Sequence, residues 1–280
     1  MIINDSLKFA FIHIPKCGGS TVRSYLQKFD DLHGSFRGPS DFHPQLGTFD
    51  RGHIPLFVLQ SYYPIQFDAI KKYWSFAVIR DPFSRFPSSI SQQLRMHGGC
   101  RVEDLSRRAF QKAADRVIKF LSKQNGTKAF LPLEYIHFQK QTDYVYVNDE
   151  RLISRLYTLE TIHRLITDFQ MKFGSRIHHS NKQGWDDRRS NETLVVRNEY
   201  LRFVHKMIKP SLRILRPLIF DSIKKQVKSA LFVERDSRYQ DLFRSETITS
   251  FISYYYAADI ALYKRLKSLG GVNDKDTSTA

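Results

Sequence analysis

Apolar positions near the front of this chain fall into short continuous runs; further along they fall into helical stripes separated by polar stretches. The run "LKFAFIHI" (7–14) mixes β-branched and aromatic residues and lacks the polar alternation of a half-exposed strand. It predicts a strand covered on both faces, as in a parallel sheet. Gly18 and Gly19 then turn the chain, and "STVRSYLQKF" predicts a helix capped near Gly19 or Ser20. Residues 30–50, rich in Gly, His, Pro, Asp and Ser, read as a loop, and "GHIPLFVL" (52–59) as a short strand edge. "YWSFAVI" (73–79) is the next buried strand. "DPFSRFPSSISQQLRM" (81–96) follows with Asp81 as N-cap and Pro82 at the first helical position, a strong helix start that can still accommodate Pro87.

Leu105, Phe110, Val117 and Leu121 lie at helical spacing within 103–124. "TDYVYV" (142–147) reads as a strand, and "RLYTLETIHRLITDFQMKF" (155–173) as a strand running into a helix from about Glu160. A polar loop spans 178–191. Basic amphipathic helices interrupted at Pro210 and Pro217 are expected over 192–230, and a last helix over 245–268. Strands alternating with helices indicate an α/β layer fold without internal repeats. The expected organisation is one domain over 1–270, with 192–240 as a helical basic insertion and 271–280 as a disordered tail.

The chain has 280 residues, 41% of them hydrophobic, which is ample for a core. A formal net charge of +16 predicts attraction to polyanions without naming one. There is no lysine-rich tail, zinc-finger spacing or aromatic-interleaved basic signature, so nucleic acid is not the expected partner. Two cysteines, Cys17 and Cys100, cannot form a disulfide framework and suit a reducing compartment. No apolar run reaches membrane-span length, and the first motif follows Met1 too closely for a signal peptide. The expected location is cytoplasmic.

Two stretches carry chemistry. In "FIHIPKCGGST" (11–21) a strand meets a glycine turn and a helix start. The first N–H groups of a helix lack intrahelical partners and the helix dipole adds positive charge there, so residues 17–21 can present several donors to one phosphate or sulfate. Lys16 adds a full charge, and Ser20 and Thr21 add hydroxyls. The plainer reading is a strand-to-helix turn whose lysine faces solvent. In "FAVIRDPFSRFPSSIS" (76–91), Arg80 ends a buried strand at the edge where open α/β sheets bind ligands, and Arg85, Ser88 and Ser89 follow at i, i+3 and i+4. A guanidinium with hydroxyls suits a phosphate; the plainer reading is a local Arg80–Asp81 pair.

Together these stretches resemble the paired signature of sulfotransferases that use 3′-phosphoadenosine 5′-phosphosulfate (PAPS). The likeness is closest to the carbohydrate branch that includes heparan sulfate 2-O-sulfotransferase. It implies a P-loop-kinase-like fold with a central parallel sheet of about five strands flanked by helices. Lys16, Cys17, Gly18, Gly19, Ser20 and Thr21 would then hold the 5′-phosphosulfate, and Arg80 and Ser88 the 3′-phosphate. Arg85 is a further cofactor candidate, and Asn181 and Lys182 of the polar loop are candidates for the same phosphate or for the acceptor.

"RGHIPL" (51–56) is similar to the family's Gly-His segment carrying the base, which points to His53. Arg51 stands where that segment often has a second histidine, an exchange that suits an anionic acceptor. His13 is the rival base, although its apolar neighbours favour packing; Glu134, His33 and His43 are further alternatives. The long irregular spacing of His33, His43 and His53 does not suit a metal, and none is expected. "YYYAADIALY" (254–263) resembles the family's closing helix.

A Walker loop places its lysine after the glycines, beside a hydroxyl residue that binds Mg²⁺. Here Lys16 precedes the glycines and no GK[ST] occurs. A sulfuryl group carries less negative charge than a terminal phosphoryl group, so lysine and backbone donors suit its transfer. The resemblance implies transfer from PAPS to a hydroxyl of a sugar or acidic glycan, releasing 3′,5′-ADP. The alternatives are an Mg-ATP-dependent kinase of related fold, with Asp81 or Asp149 as the second carboxylate, and a non-catalytic nucleotide- or glycan-binding protein. The stretch 202–228 alternates basic and apolar residues and reads as an amphipathic flank, with an acceptor groove or an anionic membrane surface as the sharper alternatives.

Overall fold

A computed structural model describes residues 1–38, 40–98, 106–124, 128–174, 194–196, 232–234 and 240–275. Its centre is a five-stranded sheet. The three inner strands are β2 (Phe9–Ile12), β5 (Trp74–Ile79) and β8 (Arg155–Thr158), which run parallel, with Ile12 paired to Ala77 and Ile79 to Thr158. β1 (Ile2–Asn4) closes one edge antiparallel to β2, and β11 (Val272–Asp274) closes the other antiparallel to β8. The protein is therefore a mixed α/β fold around a mostly parallel sheet.

The side-chain period of two sorts the inner strands onto two buried faces. Phe9, Phe11, Phe76, Val78 and Tyr157 point one way, under helices α1 (Gly19–Leu26) and α6 (Ile162–Phe173). Ala10, Ile12, Ala77, Ile79 and Leu156 point the other way, under α2 (Leu56–Tyr62), α3 (Pro64–Lys72) and the last helix, α9 (Ala257–Ser268). Each large apolar side chain so buried contributes about 1.5–3 kcal/mol. A separate core joins α4 (Pro82–His97), α5 (Arg107–Lys123) and α8 (Glu246–Tyr255), preceded by the short α7 (Gln240–Phe243). Among the described residues no helix is long and apolar enough to cross a membrane.

Several expectations are corrected. The loop expected at 30–50 contains an antiparallel hairpin, β3 (Ser40–His43) with β4 (Gly47–Asp50). "GHIPLFVL" is a 3₁₀ turn, Arg51–His53, running into α2, because Pro55 stands at the N-cap position of α2 and the apolar residues after it follow helical spacing. "TDYVYV" begins in another 3₁₀ turn, Gln141–Tyr144, and only Tyr146–Val147 (β6) pairs, with Glu150–Arg151 (β7). The final helix breaks at Tyr256. Residues 272–274, expected in the tail, form edge strand β11; buried Arg151 donates to the carbonyls of Asn273 and Asp274 and holds them there. Leu194–Val196, expected to be helical, form β9, which pairs with β10 (Phe232–Glu234). Leu105, Asn181, Lys182, the loop 178–191 and the stretch 202–228 lie outside the described residues.

Candidate functional site

Because β2 and β5 are parallel neighbours, the chain leaves both at the same sheet edge, and the two motifs meet there. After β2 the backbone turns left-handed twice, at Lys16 (φ 65°) and Gly18 (φ 79°). For a lysine that conformation costs about 1–2 kcal/mol. A Cβ on Gly18 would sit 2.6 Å from Leu159 Cδ1, and one on Gly19 would sit 1.9 Å from the His13 ring. The turn therefore needs both glycines, one for its backbone and one for its neighbour. Gly18 caps α1, and the N–H groups of Gly19 and Ser20 are among those a helix leaves without an intrahelical partner.

Arg80 follows β5 and lies against this turn. Its Nη1 donates to the Lys16 carbonyl at 3.4 Å and its Nε to Ser84 Oγ at 2.9 Å. The next helix is capped by the Asp81 carboxylate, which accepts from the Phe83 N–H, so Asp81 is a helix cap. Ser84, Ser88 and Gln92 recur every four residues on one stripe of α4. Lys16 Nζ donates to Gln92 Oε1 at 3.4 Å, and buried Ser88 stands between the two ends of the stripe.

Arg85 does not share that stripe. It is 2% exposed, and its guanidinium donates to the carbonyls of Pro15 (3.0 Å), His137 (3.1 Å) and Gln139 (2.8 Å). Ser89 also turns that way, to the His137 carbonyl. The expectation of Arg85 as an anion ligand is corrected: it clamps the glycine turn to residues 137–139.

The segment after β4 forms the second half of the site. Asp50 accepts from the Gly52 N–H at 2.7 Å and from His53 Nδ1 at 2.7 Å. Burial alone would raise the Asp50 carboxyl. The hydrogen bond from His53, the charge of that imidazole and the Gly52 N–H outweigh it and hold the group at about 2. An ionised carboxylate can only accept, so His53 Nδ1 carries a proton and donates it to Asp50, leaving Nε2 directed away from that bond. Tyr144 fixes the backbone here by donating to the His53 carbonyl at 3.0 Å.

Two more imidazoles flank His53. The His13 ring lies 4.7 Å away, between His53 and Gly19, and the His137 ring lies 5.5 Å away. Burial, reinforced by His53, holds both well below the usual imidazole value. Both are therefore neutral near pH 7.

The remaining candidates lie elsewhere. Arg51 pairs with Asp41, tying the base segment to the hairpin. Glu134 accepts from Gln93 on α4. His33 is exposed, and His43 packs against Tyr62. Among the described residues no group of His, Cys, Asp or Glu is arranged to hold a metal ion.

Asp50, His137, Gln141 and Asp259 have no place in the sequence-based set. Asp50 carries a usable signal, a carboxylate three residues before the imidazole; His137, within "LEYIHF", carries none.

The sequence profile of the sulfotransferase family matches residues 1–264, and the chain belongs to that family. Its members are transferases that move a sulfuryl group, generally from PAPS. Comparison with curated proteins and with solved structures gave no match.

Proposed function

We propose that the protein transfers the sulfuryl group of PAPS to a hydroxyl of a carbohydrate, most closely in the manner of the heparan sulfate 2-O branch. The observation that carries this reading is the contact of Arg80 with the Lys16 carbonyl. It sets a guanidinium beside an anion-sized glycine turn, as a nucleotide charged at both ends requires. The donor set fits: backbone N–H groups at a helix start, an ammonium, a guanidinium and the hydroxyls of Ser20, Thr21 and Ser88.

When bound, PAPS supplies an activated sulfuryl group attached to a 5′-phosphate that can leave. Lys16 and the N–H groups of the turn would hold the phosphosulfate end, where the Lys16 ammonium would offset its negative charge. Arg80 and Ser88 would hold the 3′-phosphate. His53 Nε2 takes the proton of the attacking hydroxyl, and Asp50 at Nδ1 keeps that tautomer and steadies the imidazolium. His13 walls the base against the turn. The net charge of +16 supports an acidic glycan as acceptor, with Arg51 at the rim. The small cysteine content supports action in a reducing, cytoplasmic setting.

Thermal unfolding with 3′,5′-ADP, with ATP plus Mg²⁺ and with heparin tests the ligand classes. A ligand at 100 times its Kd adds about 2.7 kcal/mol of stability. Stabilisation by 3′,5′-ADP is expected, and a response to ATP with Mg²⁺ alone overturns the cofactor. Transfer from radiolabelled PAPS to a panel of sulfate-free and sulfated glycans then identifies the acceptor.

A further inference from the structure

The two halves of the proposed cofactor site are joined by a side chain that belongs to neither motif. Gln141 begins the 3₁₀ turn Gln141–Tyr144 and is 0% exposed. Its Oε1 accepts from the Arg80 N–H at 2.9 Å and from the Cys17 thiol at 3.1 Å, and its Nε2 donates to the Arg80 carbonyl at 2.8 Å. One amide thus brackets both backbone polar groups of Arg80 and grips the residue after Lys16. Gln141 is itself held from behind. Its N–H donates to Asp259 Oδ2 at 2.8 Å, while the Thr142 N–H and hydroxyl both donate to Asp259 Oδ1 at 2.9 Å. Asp259 is fully buried in the first turn of α9, so one carboxylate ties the closing helix to the Gln141 turn.

The strand pairing between β2 and β5 ends at Ile12 and Ala77, before Arg80 and well short of the turn. Beyond the ladder, Gln141 connects the two segments through buried hydrogen bonds. A ligand with two anionic groups gains from the second only if the spacing of the two subsites matches its own.

We propose that Gln141, anchored by Asp259, is a positioning residue that sets the span between the glycine turn and Arg80. On this view it selects ligands carrying two phosphate-like groups over those carrying one. This inference rests on the two-anion cofactor reading above, and it concerns the spacing of the subsites rather than their chemistry.

The test compares 3′,5′-ADP with 5′-AMP and 3′-AMP by titration calorimetry on the full chain. The wild-type protein is expected to bind 3′,5′-ADP at least about 10²-fold more tightly than either monophosphate. A wild-type protein without that excess overturns the two-anion reading itself. Gln141→Met keeps the side-chain length and removes the amide. It is expected to reduce the excess about tenfold while leaving 5′-AMP affinity within about threefold. An unchanged excess, or equal weakening of all three ligands, overturns the positioning role. Asp259→Asn sets an amide N–H against the Gln141 N–H and should reduce the excess in the same direction. It carries the same comparison where Gln141→Met shows no cooperative unfolding transition.

Discussion

The proposed anion side and the proposed base side of this site are built in different ways. On the anion side, each ligand group follows directly from an inner strand of the sheet: the glycine turn after β2, and Arg80 after β5. Parallel pairing brings them to one edge. On the base side, His53 sits in a 3₁₀ turn after a hairpin, His13 follows β2, and His137 comes from another 3₁₀ segment. The first half is specified by local motifs on regular elements. The second exists only once three distant segments have packed.

Replacement of His53 by Ala, which strikes the base side, should give the largest loss, about 10²- to 10⁴-fold in turnover. Wild-type turnover in that variant, measured by radiolabelled transfer, would move the base elsewhere, with His13 next in line. Lys16→Ala on the anion side should cost about 10²- to 10³-fold with little change in melting temperature. A Lys16→Ala loss confined to KM would make the lysine a binding group only.

Stability effects are smaller and separate the halves differently. Gly19→Ala forces a methyl into the His13 ring and should destabilise by about 1–3 kcal/mol. Adding His13→Ala to it removes the obstruction, so the two changes should combine to less than their sum in a double-mutant cycle. Additive losses would show that the ring does not pack there.

Asp50 predicts a pH dependence. Its carboxyl is held at about 2, below an ordinary value of 3.8, so its stabilisation is complete above about pH 4 and is lost as pH falls towards 2. The difference corresponds to about 2 kcal/mol. Asp50→Asn should therefore destabilise by about that much at pH 7 and converge with wild type near pH 2, as followed by urea unfolding. The smallest stability effect belongs to Arg51→Gln. It opens a half-exposed ion pair with Asp41 and should cost about 1 kcal/mol or less. A rise in KM for an acidic glycan, without such a stability change, would place Arg51 at the acceptor.

This division explains what was readable in the chain. Buried runs at 9–12, 74–79 and 155–158 announced the parallel core, and Asp81-Pro82 announced α4, because each signal is local. The hairpin and both 3₁₀ turns were missed because their residues take shape from contacts such as Tyr144 to the His53 carbonyl and Asp259 to Gln141. Helical spacing grouped Arg85 with Ser88, yet those two positions lie about 60° apart around the axis. That offset sends Arg85 to the carbonyls of Pro15, His137 and Gln139 while Ser88 stays on the stripe of Ser84 and Gln92. β11 escaped notice because two glycines and a short polar run resemble a frayed end until the Arg151 guanidinium collects their carbonyls.

The Cys17 thiol, 1% exposed in the heart of the glycine turn, is pushed up to about 11 by burial. At pH 7 only ~10⁻⁴ of it is ionised, and what is ionised is shielded from reagents. Alkylation of Cys17 should proceed only as fast as the turn opens. This sulfur is therefore a native clock: its labelling rate, followed by peptide mass mapping, measures how often the loop breathes and how firmly a bound nucleotide holds it shut.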